Sequence, residues 1–156
     1  MPDDPSSIID PSSGLFSEAF LRASLPTRVA TARRAMKQLG LITIRVNTHD
    51  GSTPDPGPAG GLIRETLRDS DTGVLLDDGR FALLLEFTPV EGCVIIANRL
   101  ADRLREAQPG HTMAVGIASY PVHAINATEL LQASARASRQ AEDNEAGAVV
   151  VAPIAD

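Results

Sequence analysis

Two short apolar runs, Thr72 to Leu76 and Phe81 to Phe87, flank a polar stretch around Asp78-Gly79, and no other feature of the chain restricts its fold so strongly. An Asp-Gly step between apolar runs marks a β-hairpin, because the turn needs positive φ and glycine adopts it without steric cost. On the C-terminal side, Val90, Cys93, Val94, Ala97, Leu100, Ala101 and Leu104 recur at helical spacing between Pro89 and Glu106, opposite Asn98, Arg99, Asp102, Arg103 and Arg105. On the N-terminal side, Leu62, Ile63, Thr66 and Leu67 define one face of a short helix that ends near Arg68 to Asp71.

The outer segments show the same two periods. Ser12, Ser13 and Gly14 precede Leu15, Phe16, Ala19 and Phe20, which reads as a capped helix start. Pro26 reads as an interruption, followed by a second helix carrying Val29, Ala30, Ala32, Ala35, Met36 and Leu39 and ending at Gly40. Ile42, Ile44 and Val46 alternate with Thr43, Arg45 and Asn47, a strand over Leu41 to Asn47. Thr48 to Gly61, rich in Pro, Gly, Asp, Ser and Thr, reads as a loop. A strand over Thr112 to Ser119 stops at Pro121, a helix runs from about Ala127 to Glu142, and Ala148 to Val151 form a closing strand. The expected order is α-α-β-α-β-β-α-β-α-β, one domain over residues 10–156 behind a flexible N-terminus of residues 1–9.

Aromatic residues make up 3% of the chain and Trp is absent, so the core is built from aliphatic side chains and alanine, which suits α/β layers. A net charge of −6 excludes a general surface for nucleic-acid polymers or acidic membranes. Cys93 is the sole cysteine, which rules out an intrachain disulfide and a thiolate cluster and leaves it a small buried apolar residue in a reducing compartment. The first residues lack the pattern of a signal peptide and no apolar stretch is long enough to span a bilayer, so a cytoplasmic protein without membrane insertion is expected. His49, His111 and His123 lack metal spacing, and no metal or cofactor is assigned.

Four strings in order carry a family resemblance: Asp10-Pro11-Ser12-Ser13-Gly14-Leu15; Arg68-x-x-Asp71 followed after five residues by Asp77-Asp78-Gly79-Arg80-Phe81; Val115-Gly116-Ile117-Ala118-Ser119-Tyr120-Pro121; and Leu130-Leu131 opening the last long helix. Together they resemble the GGDEF family of bacterial diguanylate cyclase domains from Asp10 onward, with Ala114 where the family's third string has serine. The resemblance implies a nucleotidyl-cyclase-like α/β fold, a central, mostly antiparallel sheet flanked by helices.

Active members of that family join two GTP molecules into cyclic di-GMP, which requires Mg²⁺ held by carboxylates. The resemblance places one such carboxylate at Arg45 and another at Gly79. A guanidinium about 4 Å from a divalent cation costs roughly 8 kcal/mol at an effective dielectric near 20. The family's two glycines fall on Asp77 and Asp78, the following glutamate on Arg80, the phosphate-binding lysine on Glu142, and an Asp and Tyr of the last helix on Ala135 and Arg139. The chain is therefore expected not to be an enzyme, with Asp77, Asp78, Gly79, Arg80 and Phe81 a degenerate motif and no catalytic residues. Asp77 and Asp78 are adjacent and diverge, which disfavours a new activity built on paired carboxylates.

The family's product-binding inhibitory site corresponds to Arg68, Asp71 and Arg99. Arginine presents a donor fork to guanine O6 and N7, and an aspartate can accept from guanine N1 and N2. The leading expectation is a non-catalytic cyclic di-GMP receptor whose two-fold ligand, bound as a stacked pair, bridges two copies and signals to an unknown downstream protein partner. Taken as ordinary surface charges, Arg68 and Asp71 form an i, i+3 ion pair worth a few tenths of a kcal/mol. Two alternatives stay open: an interaction or dimerisation module that binds no nucleotide, and GTP binding without turnover.

Overall fold

The computed structural model describes residues 8–144 and 147–154. Its elements run β1 (Phe16–Ser17), α1 (Glu18–Ala35), β2 (Leu39–Asn47), α2 (Pro56–Thr66), β3 (Thr72–Leu75), β4 (Phe81–Leu85), α3 (Val90–Ala107), β5 (Thr112–Tyr120), α4 (Ala127–Glu142) and β6 (Ala148–Val151). The strands form one sheet in the order β1-β3-β4-β2-β5-β6. The β3–β4, β2–β4 and β2–β5 pairs are antiparallel, and the outer β1–β3 and β5–β6 pairs are parallel. The expected mostly antiparallel sheet flanked by helices is what forms. The alternation in β2 sends Ile42, Ile44 and Val46 to the face covered by α2 and α3. Leu39 and Leu41 face the other way, onto the layer that holds α1 and α4.

Several boundaries differ from expectation. Helix α1 is continuous through Pro26. Proline inside a helix costs about 3 kcal/mol, but Pro26 is exposed while Leu21, Leu25, Val29 and Ala32 keep one buried stripe on the sheet to either side of it. The helix stops at Met36, in a left-handed cap at φ 56°, and Gly40 belongs to β2. A Cβ on Gly40 would lie 2.3 Å from Cys93 Sγ, so that glycine makes room for the sulfur; burial in turn pushes the Cys93 thiol up to about 12.

The stretch expected as a loop up to Gly61 yields to α2 from Pro56, because Asp55 caps the Gly57 N–H at 3.1 Å and proline is favoured in a first helical turn. Helix α2 abuts the turn at Asp10 to Leu15. There Asp10 accepts from Ser13 N–H and Oγ at 2.9 and 2.8 Å. Strand β4 ends at Leu85, ahead of the expected Phe87, whose φ of 50° breaks the strand. Of the expected flexible N-terminus, residues 1–7 lie outside the described residues, while Ile8 and Ile9 pair with β1. Among the described residues no helix is long and apolar enough to cross a membrane.

Helix α4 lies against the sheet at Gly116 of β5. A Cβ there would lie 2.1 Å from Ser138 N and 2.5 Å from Ser134 O, both backbone atoms that cannot yield singly. Gly116→Ala is therefore expected to lower the unfolding free energy by about 3 kcal/mol, read by urea denaturation. His123 gives a pH signature. Its Nδ1 accepts the Ser119 N–H at 2.9 Å, and burial lowers its pKa from 6.5. The neutral imidazole is the form the fold selects, so its stabilising contribution is full above pH 6.5 and is lost as pH falls through the lowered folded value. His123→Gln is expected to flatten the stability change between about pH 7 and 5.

Candidate functional site

The hairpin turn between β3 and β4 closes through Leu76 N–H to Arg80 O at 2.8 Å and Gly79 N–H to Leu76 O at 3.0 Å. Gly79 has φ 91°, so glycine is demanded here by the turn. Glu18, the first residue of α1, accepts the Asp77 N–H at 3.0 Å and pairs with Arg22 at 2.8 Å. The Asp77 N–H and then Arg22 hold the Glu18 carboxyl below its ordinary range. Asp77 itself is exposed and its carboxylate makes no hydrogen bond or ion pair among the described residues.

Arg80 points back to the end of α4. Its Nε and Nη2 donate to the two oxygens of Glu142, each at 2.9 Å, and its Nη1 reaches Asp78 Oδ2 at 2.5 Å. Arg45, near the end of β2, brings Nε to 3.2 Å from Glu142 Oε1, an ion pair whose geometry is out of line for a hydrogen bond. Two guanidiniums and two carboxylates thus close on one another. Burial opposes the charge on Arg80, but Glu142 and Asp78 outweigh it and raise its pKa. Burial likewise pushes Asp78 up, and the Arg80 N–H and guanidinium reverse the shift. A cavity of about 580 Å³ opens beside Arg45 and Glu142 toward the loop 48–54. A second, of about 370 Å³, lies between the turn, α1 and α4, where Ala135 and Arg139 line it.

The Arg68–Asp71 pair sits at the opposite end of β4. Arg68 Nε and Nη2 donate to the Asp71 carboxylate at 3.1 and 3.2 Å, and Nη2 also reaches Glu86 O at 3.0 Å and Thr88 Oγ1 at 2.8 Å. Asp71 further accepts the N–H groups of Arg68 and Glu86 at 3.1 and 3.2 Å. The Asp71 side chain is 1% exposed and that of Arg68 58%, so the acid is consumed in holding the arginine while the guanidinium faces solvent. Four donors thus reach the Asp71 oxygens. Asp71 raises the Arg68 pKa by hydrogen bonding and by its charge.

Arg99 is exposed on α3 and makes neither a hydrogen bond nor an ion pair among the described residues. One turn further on, Arg103 Nη1 donates to Thr66 Oγ1 at 3.0 Å, which fixes this side of α3 beside the end of α2.

Three participants escaped the sequence reading. Glu86 and Thr88 were visible only through strand register, since pairing Thr72 with Leu84 carries Asp71 to the segment after Leu85. Glu18 gave no local signal. His49 and His111, far apart in sequence, bring their rings to 5.8 Å between centroids, yet among the described residues no group of three or more His, Cys, Asp or Glu could hold a metal.

No family model matches the chain, and no curated protein does. Solved structures do. The GGDEF domain of TpbB (YfiN) from Pseudomonas aeruginosa superposes with a TM-score of 0.83 at 22% identity, over 93% of this chain and 94% of that one. The FimX GGDEF domain from the same organism gives 0.78 at 21% identity, over 93% and 99%. The DgcB GGDEF domain from Caulobacter crescentus, solved in complex with c-di-GMP, gives 0.80 at 10% identity, over 94% and 96%. The chain has the GGDEF-domain fold.

Glu142 is the shared counterion of the cluster. Glu142→Ala leaves Arg45 and Arg80 close together without it and is expected to cost about 1–3 kcal/mol in urea unfolding. Removing Arg45 as well is expected to cost less than the sum of the single changes, and strict additivity in this double-mutant cycle would show that the pair is not coupled.

Proposed function

We propose that this domain is a non-catalytic receptor for cyclic di-GMP, contacted by Arg68 and Arg99, with Asp71 as the residue that positions Arg68. One observation carries the reading. Arg68 is the solvent-facing side of a built site, its fork braced by Asp71, Glu86 and Thr88, and Nη1 makes no hydrogen bond among the described residues. A braced guanidinium has already given up the rotamer freedom that binding would cost, and it recognises the O6 and N7 edge of guanine. Arg99 adds an uncommitted cation on the neighbouring helix. The dinucleotide's two-fold symmetry allows it to join two such domains as a stacked pair.

Absence of catalysis is part of the proposal and rests on the hairpin end. The donor set there does not fit Mg²⁺: Glu142 is shared by Arg45 and Arg80, Asp78 is bound to Arg80, and residue 79 is a glycine. A cation placed among them would meet two guanidiniums.

A second reading, an interaction module without nucleotide, is favoured by one finding: the buried Asp71 carboxylate offers no acceptor to guanine N1 and N2 in this arrangement. Titration calorimetry separates the two. Cyclic di-GMP is expected to bind wild type in the micromolar range or tighter, about −8 kcal/mol, and Arg68→Ala or Arg99→Ala to weaken it at least about tenfold. No heat from wild type at about 100 μM protein removes the receptor reading. With GTP and Mg²⁺, no pyrophosphate release is expected, and turnover would refute the non-catalytic assignment.

A further inference from the structure

Phe87 is 45% exposed in a chain that otherwise shelters its aromatic residues: Phe81 is buried at 2%, and Phe16 and Phe20 stack on each other with centroids 4.5 Å apart. It also has φ 50°, a left-handed backbone that an aromatic side chain adopts only when the surroundings impose it. What imposes it is on either side. Glu86 gives its carbonyl to Arg68 Nη2 and to Thr88 Oγ1, at 3.0 and 2.9 Å, and its N–H to Asp71. Thr88 Oγ1 receives Arg68 Nη2 at 2.8 Å. Among the described residues, every hydrogen bond that the Arg68 and Asp71 side chains make outside their own pair thus goes to the two residues flanking Phe87. Closing the turn alone would be easier with Gly or Asn at this position, since both accept left-handed backbone.

We infer that Phe87 is a stacking platform for a guanine base of the ligand whose edge Arg68 reads. The inference rests on the receptor reading above and adds a contact to it. The Phe87 backbone is one residue, about 3.8 Å between Cα atoms, from Glu86 and from Thr88, the two residues that Arg68 bonds besides Asp71. In the proposed complex a planar base lies on the exposed ring and turns its O6 and N7 edge to the guanidinium. Stacking supplies affinity that any purine shares, and the arginine fork supplies the preference for guanine.

Two substitutions test this in the whole domain. Phe87→Asn removes the ring and suits the left-handed backbone, so its thermal midpoint is expected to be unchanged or higher while cyclic di-GMP binds at least about fivefold more weakly by calorimetry. Phe87→Trp introduces the chain's only tryptophan, whose emission is expected to be quenched by cyclic di-GMP over the concentration range that saturates the heat signal. If wild type binds, Arg68→Ala does not, and Phe87→Asn binds as tightly as wild type without quenching in Phe87→Trp, the platform is refuted and the receptor reading stands. If wild type itself gives no heat, the receptor reading falls and the platform with it.

Discussion

The close approach of α4 to the sheet at Gly116 is the contact on which the geometry of the hairpin end depends. Without a Cβ at that point, Ser134 Oγ reaches across β5 to Thr43 Oγ1 at 2.7 Å and to Leu41 O at 3.1 Å, joining the helix to the central strand β2. Past Leu130, the buried side of α4 is Ser134, Ala137, Ser138 and Ala141, all small enough to keep the helix close. A helix seated this near the sheet carries Glu142, its last residue, to the ends of β2 and β4. Arg45 and Arg80 meet it there. A larger residue at position 116 would lift the helix and separate the charges, so a packing constraint in the interior sets the electrostatics at the rim.

Those electrostatics close two guanidiniums on two carboxylates: Arg80 donates to Glu142 and Asp78, and Arg45 forms an ion pair with Glu142. Where the resemblance implies a carboxylate at position 45 and a lysine at position 142, the chain has the opposite sign at both. The four groups sum to zero charge. A cluster neutralised in this way projects little field into the neighbouring cavity.

The strands were legible because period and turn chemistry are local: Asp78-Gly79 located the hairpin, and alternation in β2 sorted its two faces correctly. The errors came where tertiary packing overrode a local signal. Pro26 looked like a helix end, but its solvent-facing position let the buried stripe of α1 run past it. Pro56 and Gly60 looked like loop residues. In fact, Pro56 opens α2, and Gly60 lets that helix touch the turn at Ser13, where a Cβ would lie 2.7 Å from the Ser13 carbonyl. At the candidate site, Arg68 and Asp71 were named through the family resemblance, but the burial of the acid and the donor arriving from Glu86 were not legible, because they are properties of strand register. The ion cluster was legible only as a set of residues out of place, since nothing local relates position 142 to positions 45 and 80.

The two ends of β4 hold the ion cluster and the Arg68 turn apart. Arg80 precedes the strand and Glu86 follows it, roughly 20 Å apart in extended chain. Between them Phe81 to Leu85 are all buried and hydrogen-bonded into β2 and β3 on either side. A strand fixed on both edges and both faces transmits little displacement along its length, and groups this far apart with no shared partners contribute independently to stability. The ion cluster at the hairpin can therefore change without disturbing the turn that Arg68 braces. Conversely, the left-handed backbone at Phe87 is held by bonds that never touch the hairpin. On the proposed reading, sensing survives the loss of synthesis because the sheet isolates the two chemistries from each other.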